Sequence, residues 1–125
     1  MPYSLTYSVQ KHYLEADIHV VIAPGLELRE ALQRWKEVAR LSRKNQRDKV
    51  LVNITFEGFY DLETKFRLAK NASTIGWSHD LKLAVVITDP DHFERQLFTE
   101  TAMTGMGYDM KLFMKPRAAR KWLLE

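Results

Sequence analysis

Val50-Leu51-Val52-Asn53-Ile54 is the run whose reading decides the fold. It is short, rich in β-branched residues and apolar at nearly every position, so both sides of its alternation favour burial. A strand of this kind belongs inside a sheet covered on both faces. Leu83-Ala84-Val85-Val86-Ile87 has the same character, at the centre of a strand predicted over Leu81 to Thr88. Between the two, Phe56 to Tyr60 reads as a loop. Asp61 to Asn71 reads as a helix with Leu62, Phe66 and Ala69 inward. Two buried strands joined by a helix make a βαβ unit, whose strands run parallel.

The rest of the chain extends this unit in both directions. Tyr3 to Gln10 alternates Tyr3, Leu5, Tyr7 and Val9 with polar residues, and Tyr13 to Ala23 places Leu14, Ala16, Ile18, Val20 and Ile22 on one face. The short break at Lys11-His12 makes them a hairpin or one long bent strand pair. Pro24-Gly25 ends the run. Leu28, Ala31, Leu32, Trp35, Val38 and Ala39 then recur at helical spacing, opposite Arg29, Glu30, Gln33, Lys36, Glu37 and Arg40. Downstream, Asp89-Pro90 offers an N-cap and a first-turn proline. The third helix it opens carries Phe93, Leu97, Phe98 and Thr101 and stops at Gly105 and Gly107. Asp109 to Met114 is a last strand, and Pro116 opens a short helix with Ala119, Trp122 and Leu123. The order is β-β-α-β-α-β-α-β-α. The expected fold is α/β, with a single-layer, mostly parallel five-stranded sheet and an antiparallel N-terminal edge, forming one domain over residues 1–125.

Composition excludes several classes of protein. The 125 residues contain no cysteine, which removes disulfide scaffolds, thiol nucleophiles and cysteine-based metal sites. The longest apolar runs fall far short of the roughly 20 residues that span a bilayer. Met-Pro-Tyr-Ser does not open a signal peptide, so a cytoplasmic protein without stable membrane insertion is expected. The net charge of +3 is concentrated in Arg40, Arg43, Lys44, Arg47 and Lys49, and in Lys111, Lys115, Arg117, Arg120 and Lys121. The first group follows an amphipathic helix, where the dipole favours cations. It contains no aromatic residue on which a base could stack, so no nucleic-acid partner is expected.

The element order resembles the SpoIIAA-like branch of the STAS superfamily. The resemblance is carried by Val50-Leu-Val-Asn-Ile-Thr-Phe-Glu-Gly-Phe-Tyr-Asp61, by Leu81-Lys-Leu-Ala-Val-Val-Ile-Thr-Asp89 and by Ala118-Ala-Arg-Lys-Trp122-Leu-Leu. It covers nearly the whole chain and rests on core and turn residues. It implies the fold of the anti-sigma-factor antagonists, a branch also compared with CRAL-TRIO lipid-transfer domains, and it implies no catalytic residue. Those antagonists carry a phosphorylatable serine where the central strand leads into the next helix. The matching stretch here is Tyr60-Asp61-Leu62-Glu63-Thr64, in which Leu62 and Glu63 replace the serines. A phospho-switch is therefore not expected.

In open α/β sheets, ligands sit beyond the carboxyl ends of the parallel strands. That rim would gather Thr55, Glu57, Tyr60, Asp61, Thr88, Asp89, Asp91 and Lys115, although Asp61 and Asp89 read equally well as helix caps. The loop aromatics Phe59 and Tyr60 are the best candidates for a binding surface. His12, His19, His79 and His92 show no metal-ligand spacing, Gly-x-Ser-x-Gly is missing, and no cofactor motif is present. Met103, Met106, Met110 and Met114 form a cluster of adaptable apolar side chains.

The leading expectation is a non-catalytic binding or regulatory domain that meets a protein partner or small ligand at the rim. The alternative is a carrier of a lipid or other apolar ligand, with Phe66, Phe98, Met103 and Met106 as apolar contacts. A third reading is an acid–base enzyme using rim carboxylates. Homodimerisation through the first strand or the methionine-bearing helix is compatible with the sequence.

Overall fold

One sheet takes its five strands in chain order: β1 (Tyr3–Val9), β2 (Leu14–Val21), β3 (Lys49–Glu57), β4 (Lys82–Val86) and β5 (Asp109–Phe113). These elements come from a computed structural model that describes residues 3 to 125. β1 pairs antiparallel with β2, placing Leu5 opposite Ile18. The remaining pairs are parallel, with Ile18 beside Ile54 and Val52 beside Val85. Helices α1 (Glu27–Lys44), α2 (Leu62–Lys70) and α3 (Pro90–Gly105) make the crossovers, and α4 (Pro116–Leu123) closes the fold. A 3₁₀ turn, Ala72–Ile75, links α2 toward β4. The expected α/β class, strand number and antiparallel edge are those observed.

The alternation of β2 shows how the layers form. Leu14, Ala16, Ile18 and Val20 are buried, while Asp17, His19 and Val21 are exposed. The buried set packs with Val38, Ala39 and Leu41 of α1, Ile54 of β3, Val85 of β4 and Met103 of α3. On the opposite face, Leu51, Ala84 and Val86 pack against Ala119 and Leu123 of α4. The central strands are thus buried on both faces, as their continuous apolar runs require. Arg120 pairs with Glu15 at 3.2 Å, and Lys82 donates to the Trp122 carbonyl at 2.8 Å, so α4 is tied to the sheet by charge as well as packing. Among the described residues, no helix is long and apolar enough to cross a membrane.

Three details differ from the sequence reading. β3 runs on through Phe56 and Glu57, because the Ile22 amide donates to the Glu57 carbonyl at 2.9 Å and prolongs the ladder. In α2, Leu62 and Phe66 are 62% and 55% exposed, whereas Thr64, Lys65, Leu68 and Ala69 are buried. The rotation is set at the start of the helix. Asp61 caps it by accepting the Thr64 amide at 2.7 Å, and Tyr60, Leu68 and Ala31 share one cluster. Lys65 then lies inward, where its ammonium donates to the Arg95 carbonyl at 2.8 Å. Burial pushes the Lys65 pKa down, and the nearby Arg95 charge adds to this. In α3 the buried residues are Thr99 and Met103, while Leu97 and Thr101 are exposed. Both helices therefore place polar groups beneath them and leave apolar ones outside.

This phase is measurable. Leu68→Ala should cost about 2–4 kcal/mol in urea denaturation, as for other buried leucines. Phe66→Ala should stay within about 0.5 kcal/mol of the parent, as for a surface change. The reverse ranking would return α2 to the rotation expected from its apolar spacing.

Candidate functional site

The rim residues are largely engaged in holding the backbone. Asp61 caps α2. Asp89 caps α3, accepting the Asp91 amide at 3.2 Å and the His92 Nδ1 proton at 2.5 Å. His92 Nε2 also lies 2.9 Å from the Gly58 carbonyl. Both ring nitrogens thus face oxygen atoms, which ties the ring to Asp89 and to the Gly58 turn. The ring stacks on Phe59 at 4.4 Å and Phe56 at 5.4 Å. Gly58 takes a positive φ of 101°, and a Cβ there would meet Ile22 at 3.2 Å, so this turn needs glycine. Phe59 is 48% exposed with Arg95 over its ring, whereas Tyr60 is buried. Asp91 and Thr88 are exposed.

Thr55 belongs to a different arrangement, on the sheet face opposite α1–α3. It lies across from His19, whose Nδ1 is 2.6 Å from the Thr55 hydroxyl and whose Nε2 is 2.8 Å from a Glu57 carboxylate oxygen. Hydroxyl, imidazole and carboxylate are aligned as in a general-base relay. His19 and Glu57 are 49% and 65% exposed, so water competes for each of these bonds. Thr55, His19 and Thr88 line a shallow groove of about 260 Å³ together with Ser4, Thr6 and Asn53.

A narrower pocket lies on the other face, beneath α1, α2 and α3. It measures about 60 Å³, room for roughly four waters. Ile54, Leu83, Val85, Ile87 and Leu112 form its floor, and Met103 and Leu68 contribute to its roof. Of the apolar contacts expected from sequence, Met103 is on this lining. Phe66 is exposed, Phe98 is half-buried away from it, and Met106 is 41% exposed.

The polar lining residues are Arg34, Tyr60, Trp77, Gln96 and Thr99, and Arg34 is the only charged one among the described residues. Arg34 is 1% exposed. Its Nη2 donates to the Tyr60 hydroxyl, and its guanidinium carbon lies 5.8 Å from the ring centres of both Tyr3 and Tyr60. Its Nε and the Trp77 indole nitrogen are buried without a partner among the described residues. Burial holds the Tyr60 phenol above its ordinary pKa, although the Arg34 charge and hydrogen bond pull the other way. Tyr60 therefore remains neutral at ordinary pH and supplies Arg34 with a dipole but no counter-charge.

Sequence reasoning missed Arg34 and Trp77. Arg34 belongs to the buried stripe Ala31, Arg34, Val38, Leu41 of α1, and its spacing within that stripe was the available signal. The His19–Thr55–Glu57 contact depends on strand register, which single-strand patterns do not reveal.

Fold and site together define an α/β domain with a small cavity lined by the buried Arg34. Among the described residues, no three His, Asp or Glu side chains are grouped to hold a metal ion. A scan of family models finds none that matches the chain, and a search of curated proteins likewise finds no match.

The capping carboxylates give the fold a defined acid response. Asp61 is held below the ordinary value of 3.8 mainly by its bonds from Thr64, and Asp89 mainly by its bond from His92. Each therefore releases its proton more readily in the folded protein than in the unfolded chain. Their stabilisation is fully present above the ordinary value and is lost as the pH falls through the lowered folded values. Denaturation midpoints followed from neutral to acid pH should fall less steeply for Asp61→Asn/Asp89→Asn than for the parent, since asparagine keeps the cap and removes the charge.

Proposed function

We propose that this chain is a non-catalytic binding domain that takes a small ligand between its sheet and the α1–α3 layer. One observation carries the reading: the cavity beneath these helices combines an apolar wall with Arg34 and Trp77, whose Nε and indole N–H groups are buried without a partner among the described residues. Buried polar groups are almost always satisfied by protein or by ordered water, so each exception calls for a partner. The rim is the weaker candidate for a small ligand, because Asp61 and Asp89 are occupied as caps and Tyr60 is buried. We read the chain as a SpoIIAA-like STAS domain on its element order and strand motifs. The comparison of that branch with CRAL-TRIO carriers supports an interior ligand. A space of about 60 Å³ favours a short ligand over an acyl chain, since pockets for drug-sized molecules run to roughly 300–1,000 Å³.

A second reading, docking of a protein partner near the rim, is favoured by the exposed side chains of Phe59, Leu62 and Phe66. The two readings separate in native mass spectrometry of gently purified protein with a denatured control. The interior-ligand reading predicts a small adduct that is lost on denaturation. A bare monomer mass, unchanged after incubation with small organic acids, alcohols and amides, would remove that reading and leave docking as the better account.

A further inference from the structure

We infer that the interior cavity selects a small monocarboxylate with a short apolar body, its carboxylate held by Arg34 and its hydrocarbon part by the sheet-side wall. This rests on the proposed interior site and specifies its ligand class. Arginine does not lose its proton in proteins, so Arg34 is a cation in a nearly dry position. A buried charge needs a counter-charge or a dense set of hydrogen bonds. Among the described residues, Arg34 has one hydrogen-bond acceptor, the neutral Tyr60 hydroxyl, and two aromatic faces at 5.8 Å. Glu27 and Glu30 act on Tyr60 at longer range, but no carboxylate of the described residues lies within 4.0 Å of the guanidinium.

Arg34 and Trp77 thus both line the cavity, and Arg34 Nε and the Trp77 indole nitrogen are buried without a partner among the described residues. A guanidinium edge matches a carboxylate with two parallel bonds. One cation on the lining balances one negative charge, which favours a monocarboxylate over a phosphate. Ile54, Leu83, Val85, Ile87 and Leu112 offer nothing to a second charged group and suit a short hydrocarbon body.

The test is a set of titrations of ¹⁵N-labelled protein, refolded from denaturant to remove any bound molecule. The signals followed are the Arg34 Nε–H and the Trp77 indole N–H. Sodium butanoate is the probe, with butanamide and butan-1-ol as uncharged counterparts and sodium phosphate as a bare anion. The inference predicts saturable movement of both signals with butanoate and at least about tenfold weaker binding of both uncharged compounds. It predicts no movement with phosphate at matched concentration. Arg34→Met should bring butanoate down to the level of butan-1-ol. If that variant does not fold, the comparison on the parent protein decides.

An uncharged compound that binds within tenfold of butanoate would overturn the carboxylate choice and leave the interior site standing. Phosphate binding as well as butanoate would overturn it too, since the apolar wall would then play no part. A shift of the Arg34 Nε–H on Glu30→Gln in ligand-free protein would identify Glu30 as the counter-charge and also overturn it. Movement with none of the compounds would remove both the ligand class and the interior site.

Discussion

Strands β2 to β5 run parallel and in chain order, and that order dictates which side of the sheet each crossover helix takes. Crossovers between parallel strands are right-handed in nearly all proteins. When each step moves to the next strand in the same direction, the same hand places every connecting helix on the same face. α1, α2 and α3 therefore share one side, and the opposite side is left to the eight residues of α4. Strand order never reverses, so there is no switch-point crevice of the kind that makes the carboxyl rim a binding site in doubly wound sheets. The pocket lined by Arg34 lies under the helix layer instead.

The layer is unusual in what it turns inward. α2 and α3 cover the sheet with Thr64, Lys65 and Thr99 as well as Leu68, Ala69 and Met103, and leave Leu62, Phe66 and Leu97 outside. Lys65 resolves its burial locally by reaching the Arg95 carbonyl at the edge of α3. Arg34 does not, because its surroundings are aromatic and aliphatic. The rotation of α3 brings Gln96 and Thr99 to the cavity lining, whereas α2 contributes Leu68 and Ala69. Natural proteins accept such local costs chiefly where a site requires them.

The parts of this fold that were legible in the sequence follow from periodicity. Val50–Ile54 and Leu83–Ile87 announce strands buried on both faces, and Asp89-Pro90 announces a helix start that Asp89 caps as expected. The illegible parts depend on rotation and register. Leu62 and Phe66 have the spacing of an inward face, but the cap at Asp61 and the packing of Tyr60 against Leu68 turn them out. Thr99 looks like a surface residue and is buried by the same kind of override. Arg34 was legible in spacing and hidden by its chemistry, since a charged residue is assigned to the solvent face by default. His19, Thr55 and Glu57 are scattered along the chain and meet only through the β2–β3 register.

The central claim is that Arg34 serves a ligand and not the fold. Its most direct test is the stability of Arg34→Met in protein stripped of any bound molecule, measured by urea denaturation. Breaking a buried ion pair costs about 3–5 kcal/mol, whereas replacing a poorly compensated buried charge with an apolar side chain of similar length is often neutral or stabilising. The account predicts a variant within about 1 kcal/mol of the parent, or more stable, the small loss reflecting the Tyr60 hydroxyl left without its donor. A loss of about 3 kcal/mol or more would show that Arg34 already has its counter-charge within the folded chain, and would contradict the account.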